Sequence, residues 1–211
     1  MSDRACDCCE SASEQANKRT DSHDRWLSER PVTNARLPPD MARRMKQLLD
    51  AESLETLGDF VRKLRDAASG TITIDDLCHA STETPHRATV GSETYHFLCF
   101  YDGVALTYLV DKPVTIQTES PAGKRIEMRA TPDGSIEITP ADAVMSFGVA
   151  ADVEIPGPAG PIEEVVYKAV CPYVKAFPSR ETYESWAAGV GAATVGMVLP
   201  DGVPIAAALV D

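Results

Sequence analysis

The sequence predicts an α+β fold, with a three-helix, winged-helix-like N-terminal unit followed by a core of antiparallel β-sheets with flanking helices. Three observations carry this. Met41 to Leu49 and Ser53 to Leu64 repeat apolar residues at helical spacing. Val114–Thr118, Arg125–Arg129 and Ser135–Thr139 alternate apolar and polar residues between the turns Pro121-Ala122-Gly123 and Pro132-Asp133-Gly134, as an antiparallel meander does. Between the two patterns, Tyr95 to Val110 is apolar at most positions, as expected of a buried helix.

Taken in order, residues 1–33 are rich in Ser, Asp, Glu, Arg and Asn, with one Trp and almost no aliphatic pattern, and carry Cys6-Asp7-Cys8-Cys9, so they read as a mobile tail with too little apolar surface to offset ordering. Residues 34–86 form the helical unit. Its first helix follows Pro38-Pro39 with Asp40 as cap, its second follows Ser53, and a third short element spans Ile72 to His79, opened by Thr73 or Asp75. Size and spacing match a helix-turn-helix or winged-helix module, used here as a packing annex rather than for DNA. Residues 87–211 form the α+β core. Thr89-Val90, Ala143–Ala150 and Glu164–Val170 are expected strands, the last two parted by the Pro156–Pro161 loop, with Cys171 at a strand end before Pro172. Ser179 caps an expected helix to Ala188, and Val195–Leu199 with Ile205–Val210 complete the core.

Charge limits the partners. With 20 basic and 32 acidic residues the formal charge is −12, which disfavours nucleic acid and anionic membrane surfaces. Only seven of the basic residues are lysines, a bias resembling proteins of salt-loving organisms. No run reaches the roughly 18–20 apolar residues of a membrane span, and the first thirty residues lack a signal-peptide pattern, so the expected compartment is the cytoplasm. The six cysteines, at 6, 8, 9, 78, 99 and 171, are too sparse and irregular for a secreted disulfide framework and read as reduced thiols.

The most informative segment is Cys99-Phe100-Tyr101-Asp102, answered far downstream by Cys171. On a helix, residues three apart share a face, so a thiol and a carboxylate would enter one site to which a distant segment brings a second thiol. Soft cations such as mercury, cadmium and copper(I) prefer thiolate ligands, and Asp102 could take up the thiol proton. The bland reading of such a cysteine is a small buried hydrophobe. His96, three residues before Cys99, is a candidate modulator of the thiolate or a core histidine. Tyr101, Tyr173 and Phe177 read as pocket walls and Trp186 as a core anchor. Cys6, Cys8 and Cys9 could relay a soft metal, or bind zinc with His23, and Cys78-His79 reads as packing.

Both neighbourhoods, Tyr95-His-Phe-Leu-Cys99-Phe-Tyr-Asp102-Gly-Val-Ala-Leu and Val170-Cys171-Pro-Tyr-Val-Lys-Ala-Phe177-Pro-Ser followed by Trp186-Ala, resemble in the same order the organomercurial (alkylmercury) lyase family. The resemblance covers roughly residues 35 to 210. It implies that Cys99 and Cys171 are the essential cysteines and Asp102 the essential carboxylate of a carbon–mercury protonolysis in mercury detoxification. It further implies no organic cofactor, mercury as substrate and product held by Cys99, Cys171 and Asp102, and transfer of Hg(II) to small thiols and mercuric reductase. Phe100-Tyr101, Pro172 and the 156–161 loop depart from the family pattern and bear on substrate range and rate. The alternatives are a non-enzymatic soft-metal (Hg/Cu) carrier or chaperone on the same scaffold, favoured by the tail thiols, and a metal-responsive regulator using the helical unit.

Overall fold

The computed structural model describes residues 25–67, 72–77, 80–151 and 162–210. The Cys6, Cys8, Cys9 and His23 cluster, Cys78-His79 and the Pro156–Pro161 loop lie outside the described residues. What is described is an α+β fold with two antiparallel sheets. Helices α1 (Pro39–Leu48) and α2 (Leu57–Ala67) lead into strands β1 (His86–Val90) and β2 (Glu93–Phe97), then helix α3 (Phe100–Leu109). Strands β3 (Val114–Glu119), β4 (Arg125–Ala130), β5 (Ile136–Thr139) and β6 (Val144–Ala150) follow. Helix α4 (Ile162–Ala169), strand β7 (Ala176–Phe177), helix α5 (Arg180–Ala187), strand β8 (Ala192–Val198) and helix α6 (Leu199–Val210) complete it.

The larger sheet has the order β2-β1-β3-β4-β5 and the smaller β7-β6-β8. The meander β3-β4-β5 forms as its alternation requires: Val114, Ile116, Ile126 and Met128 are all buried on one face, and Gly123 and Gly134 sit at positive φ in the two expected turns. Against that face lies α3, whose Gly103 brings its backbone so near β3 that an added Cβ would stand 3.2 Å from Ile116 Cγ2. Strand β6 is buried along its whole length. One continuous core runs from Leu27 through α1, α2 and α3 to Val210, and α2 packs directly against α6.

Several expectations give way to packing. Residues 25–33, read as tail, are tied in: Leu27 donates to the Gly196 carbonyl at 2.8 Å, Gly196 donates to the Arg25 carbonyl at 2.9 Å, and Leu27 and Val32 are buried. Asp40 is not the cap of α1. Pro38 holds that position and Asp40 lies in the first turn, paired with Arg25 at 2.6 Å. The cap of α2 is Thr56 rather than Ser53, since Thr56 Oγ1 accepts from the Asp59 N–H at 3.1 Å while Asp59 accepts from the Thr56 N–H at 2.9 Å. The third helix is one 3-10 turn, Ile74–Asp76, with Thr73 as its cap.

Two misreadings lie nearer the site. Tyr95 to Phe97 belongs to strand β2, so the helix expected from Tyr95 begins only after Cys99. The segment 164–170, read as a strand, is mostly helix α4. The adjacent β-branched residues Val165 and Val166 favour a strand locally, and the tertiary setting overrides that propensity.

Candidate active site

Cys99 stands at the junction of β2 and α3. Its backbone is extended, with φ −123° and ψ 134°, and it occupies the N-cap position. The Asp102 N–H donates to its carbonyl at 3.3 Å. The helical face expected to carry both residues does not include the thiol: Cys99 is the N-cap and Asp102 the third helical residue, so the two stand together at the first turn. The helix is held rigidly, with Tyr101 donating its hydroxyl to the Gly202 carbonyl at 2.9 Å and meeting Phe147 edge-on at 5.1 Å.

Cys171 arrives from the other side, as the first residue of the 3-10 turn Cys171–Tyr173 that follows α4. This turn is pinned to β6. Ser146 Oγ donates to the Tyr173 carbonyl at 2.8 Å, and the Ser146 N–H donates to the Lys175 carbonyl at 2.9 Å. Tyr173 fits there because Gly148 has no side chain: a Cβ at that position would stand 2.7 Å from Tyr173 Cβ.

The two thiols meet. Both are free, Cys99 buried and Cys171 partly exposed. The hydrogen bond to Cys171 is the largest of the influences that push the Cys99 thiol well above its ordinary pKa. Burial and the nearby Cys171 and Asp102 charges add to it, while the Tyr101 amide opposes. At rest Cys99 is thus a protonated thiol. Burial likewise raises the Asp102 carboxyl from 3.8 to about 7, against the opposing Cys99 amide. Asp102 Oδ2 is the only buried side-chain nitrogen or oxygen without a hydrogen-bond partner among the described residues. Such an orphan is costly for stability and common where chemistry is done. No group of three or more His, Cys, Asp or Glu side chains among the described residues forms a ready-made metal cage. What stands ready is a pair of thiols beside a carboxyl that exchanges its proton near neutral pH.

The pair opens to solvent on the Cys171 side, through a cleft of about 420 Å³ lined by Leu98, Tyr167, Lys168, Cys171, Pro172 and Lys175. Sequence reading missed this rim, because α4 was taken for a strand and its Tyr167 and Lys168 were not placed beside Cys171. The other candidates fall elsewhere. His96 lies on β2, opposite Arg87, with its Nδ1 accepting from the Thr84 N–H at 3.4 Å, so it does not share a helical face with Cys99. Phe177 and Trp186 meet in a tilted ring contact at 5.1 Å and line a separate cleft of about 640 Å³ that contains neither cysteine.

Two hydrogen-bonded thiols, with a carboxyl raised to about 7 at the first turn of a helix, have the chemistry to take a soft electrophile beside an acid. The alkylmercury lyase family model matches residues 80–211, and the chain belongs to that family. A solved structure described as the mercury-bound form of MerB2 is 13% identical, with a TM-score of 0.43, covering 82% of this chain and 91% of that one. A search of the curated proteins gives no match. No helix among the described residues is long and apolar enough to cross a membrane.

Proposed function

We propose that this protein cleaves the carbon–mercury bond of organomercurials by protonolysis, with Cys99 and Cys171 as the mercury-binding thiolates and Asp102 as the proton shuttle. The observation that carries this reading is the contact of the two thiols beside the buried Asp102, whose Oδ2 has no hydrogen-bond partner and whose carboxyl is raised to about 7. The partly exposed Cys171 takes the organomercury group from a thiol carrier, releasing that carrier with the Cys171 proton. Cys99 then binds the same mercury and gives its proton to an Asp102 carboxylate. Two thiolates raise electron density on the mercury-bound carbon, Asp102 delivers the proton to it, and the hydrocarbon leaves. The balance is two protein thiols and one organomercury thiolate in, one hydrocarbon, one carrier thiol and a dithiolate-bound Hg(II) out.

An acid that titrates at about 7 suits this task, being protonated often enough to donate and weak enough to be recharged by a thiol. The reaction needs no organic cofactor, and the Hg(II) left on the cysteines passes to small cytosolic thiols and mercuric reductase. The test is methane released from methylmercury in excess small thiol. Wild type should release it; Cys99→Ser and Cys171→Ser should not. Asp102→Asn should lower release about 100-fold or more, the usual scale for loss of a positioned acid, while mercury stays bound. Tight mercury binding without methane from the wild type would instead establish the carrier reading.

A further inference from the structure

The opening onto Cys171 joins basic and apolar side chains around a thiol. The chain carries a formal charge of −12 and only seven lysines, yet two of them, Lys168 and Lys175, line this one cleft. Lys168 is exposed in the last turn of α4. Lys175 is half-buried between buried Val174 and Ala176, its backbone fixed on Ser146 by an N–H donated to Ser146 Oγ at 3.3 Å as well as by the carbonyl contact above. Among the described residues no carboxylate pairs with Lys175. Its charge is felt inside the protein, where it adds to burial in lowering His86 to about 4.

Between the lysines the rim is apolar. Leu98 and Tyr167, 44% and 39% exposed, are two of the three large hydrophobic residues left most open to water among those described. A cleft that joins two cations to an apolar strip and ends on a thiol fits a short organic thiol with a carboxylate.

We infer that the cleft recognises the carrier that delivers the organomercury group, and that this carrier is an anionic, carboxylate-bearing thiol whose alkyl chain lies on Leu98 and Tyr167 while Lys168 and Lys175 hold its charge. This rests on the lyase reading only for what happens after delivery. The recognised step is an exchange without oxidation or reduction: the Cys171 sulfur bonds mercury, the carrier sulfur leaves it, and the Cys171 proton departs with the carrier. The lysines touch the leaving thiol rather than the reacting carbon. They also overcome the repulsion that a −12 protein exerts on any anion approaching elsewhere.

The experiment supplies methylmercury as its one-to-one adduct with 3-mercaptopropionate, 2-mercaptoethanol or cysteamine, which are anionic, neutral and cationic. Two quantities are read: the rate at which methylmercury appears on the reduced protein, by rapid quench and mass measurement, and the methane released. At low ionic strength the anionic adduct should transfer fastest and the cationic slowest, with a spread of about tenfold that high salt collapses. Lys168→Glu combined with Lys175→Glu should reverse the order, and the single Gln variants should each narrow it should the double variant fold poorly. Equal transfer from all three carriers, or an order the lysine variants leave unchanged, overturns the inference. Methane bears separately on the lyase reading: carrier preference without methane sinks that reading and leaves this one standing.

Discussion

Asp102 shows how one residue carries both a cost and a use. Its carboxyl titrates at about 7 in the fold against 3.8 in the open chain. Between those values the native state binds more protons than the unfolded one, so stability falls as pH rises from about 4 to 7. At about 1.4 kcal/mol for each tenfold change in proton affinity, the native state at pH 8 carries a burden of roughly 4 kcal/mol from this group. Asp102→Asn keeps the shape and removes the charge. Denaturant unfolding should therefore find the variant more stable than wild type by a few kcal/mol at pH 8 and equal to it near pH 4. A gap that does not change with pH would refute this account. His86 works in the opposite direction. Burial, then Lys175, lowers it to about 4, and its Nδ1 shares a proton with Thr118 Oγ1 at 2.6 Å, so its stabilising effect is lost as pH falls from 6.5 towards 4. In the same unfolding series, wild-type stability should vary little between pH 4 and 6.5, where the two slopes oppose, and Asp102→Asn should expose the acid-sensitive slope of His86.

At the scale of elements, the site depends on two junctions rather than on any one regular segment. The Cys-x-x-Asp spacing was legible in the sequence, and so were the meander β3-β4-β5, strand β6 and the Ser179 cap of α5, because each follows from alternation or from local capping chemistry. The strand-to-helix change at Cys99 was not legible. Tyr95 to Val110 is apolar at most positions, and a continuous apolar run fits a buried strand as well as a buried helix. The same ambiguity hid α4 and with it the lysine rim of the cleft. The turn that presents Cys171 has no pattern of its own and is fixed by contacts with β6, above all Tyr173 over Gly148. Gly148→Ala should displace Tyr173 and draw Cys171 away from Cys99. Overpacking of this kind costs about 1–3 kcal/mol, and hydrocarbon release should fall by more than that loss of folded protein accounts for. Full activity per folded molecule, with the fold measured by circular dichroism, would show that the turn tolerates the change.

Across the whole molecule, the helices at the N-terminus and the sheets share one core. Charge and composition could not show that α2 closes on α6 or that Trp26 bridges to Gly196 on β8. Such pairings join distant parts of the chain and leave no periodic trace. The meeting of Cys99 and Cys171 is another of them, and under the proposed reaction it would give the product a mechanical role. Mercury held by both sulfurs would be a covalent staple across roughly seventy residues, and closing a loop of that length removes about 4 kcal/mol of freedom from the unfolded chain. One equivalent of Hg(II) should raise the unfolding temperature of the wild type by several degrees, and that of Cys171→Ser far less; equal shifts would mean the metal does not bridge. If the proposed reaction leaves Hg(II) on both sulfurs, the protein would relax only when an outside thiol cuts that staple, and the step that frees the mercury would also loosen the fold for the next cycle.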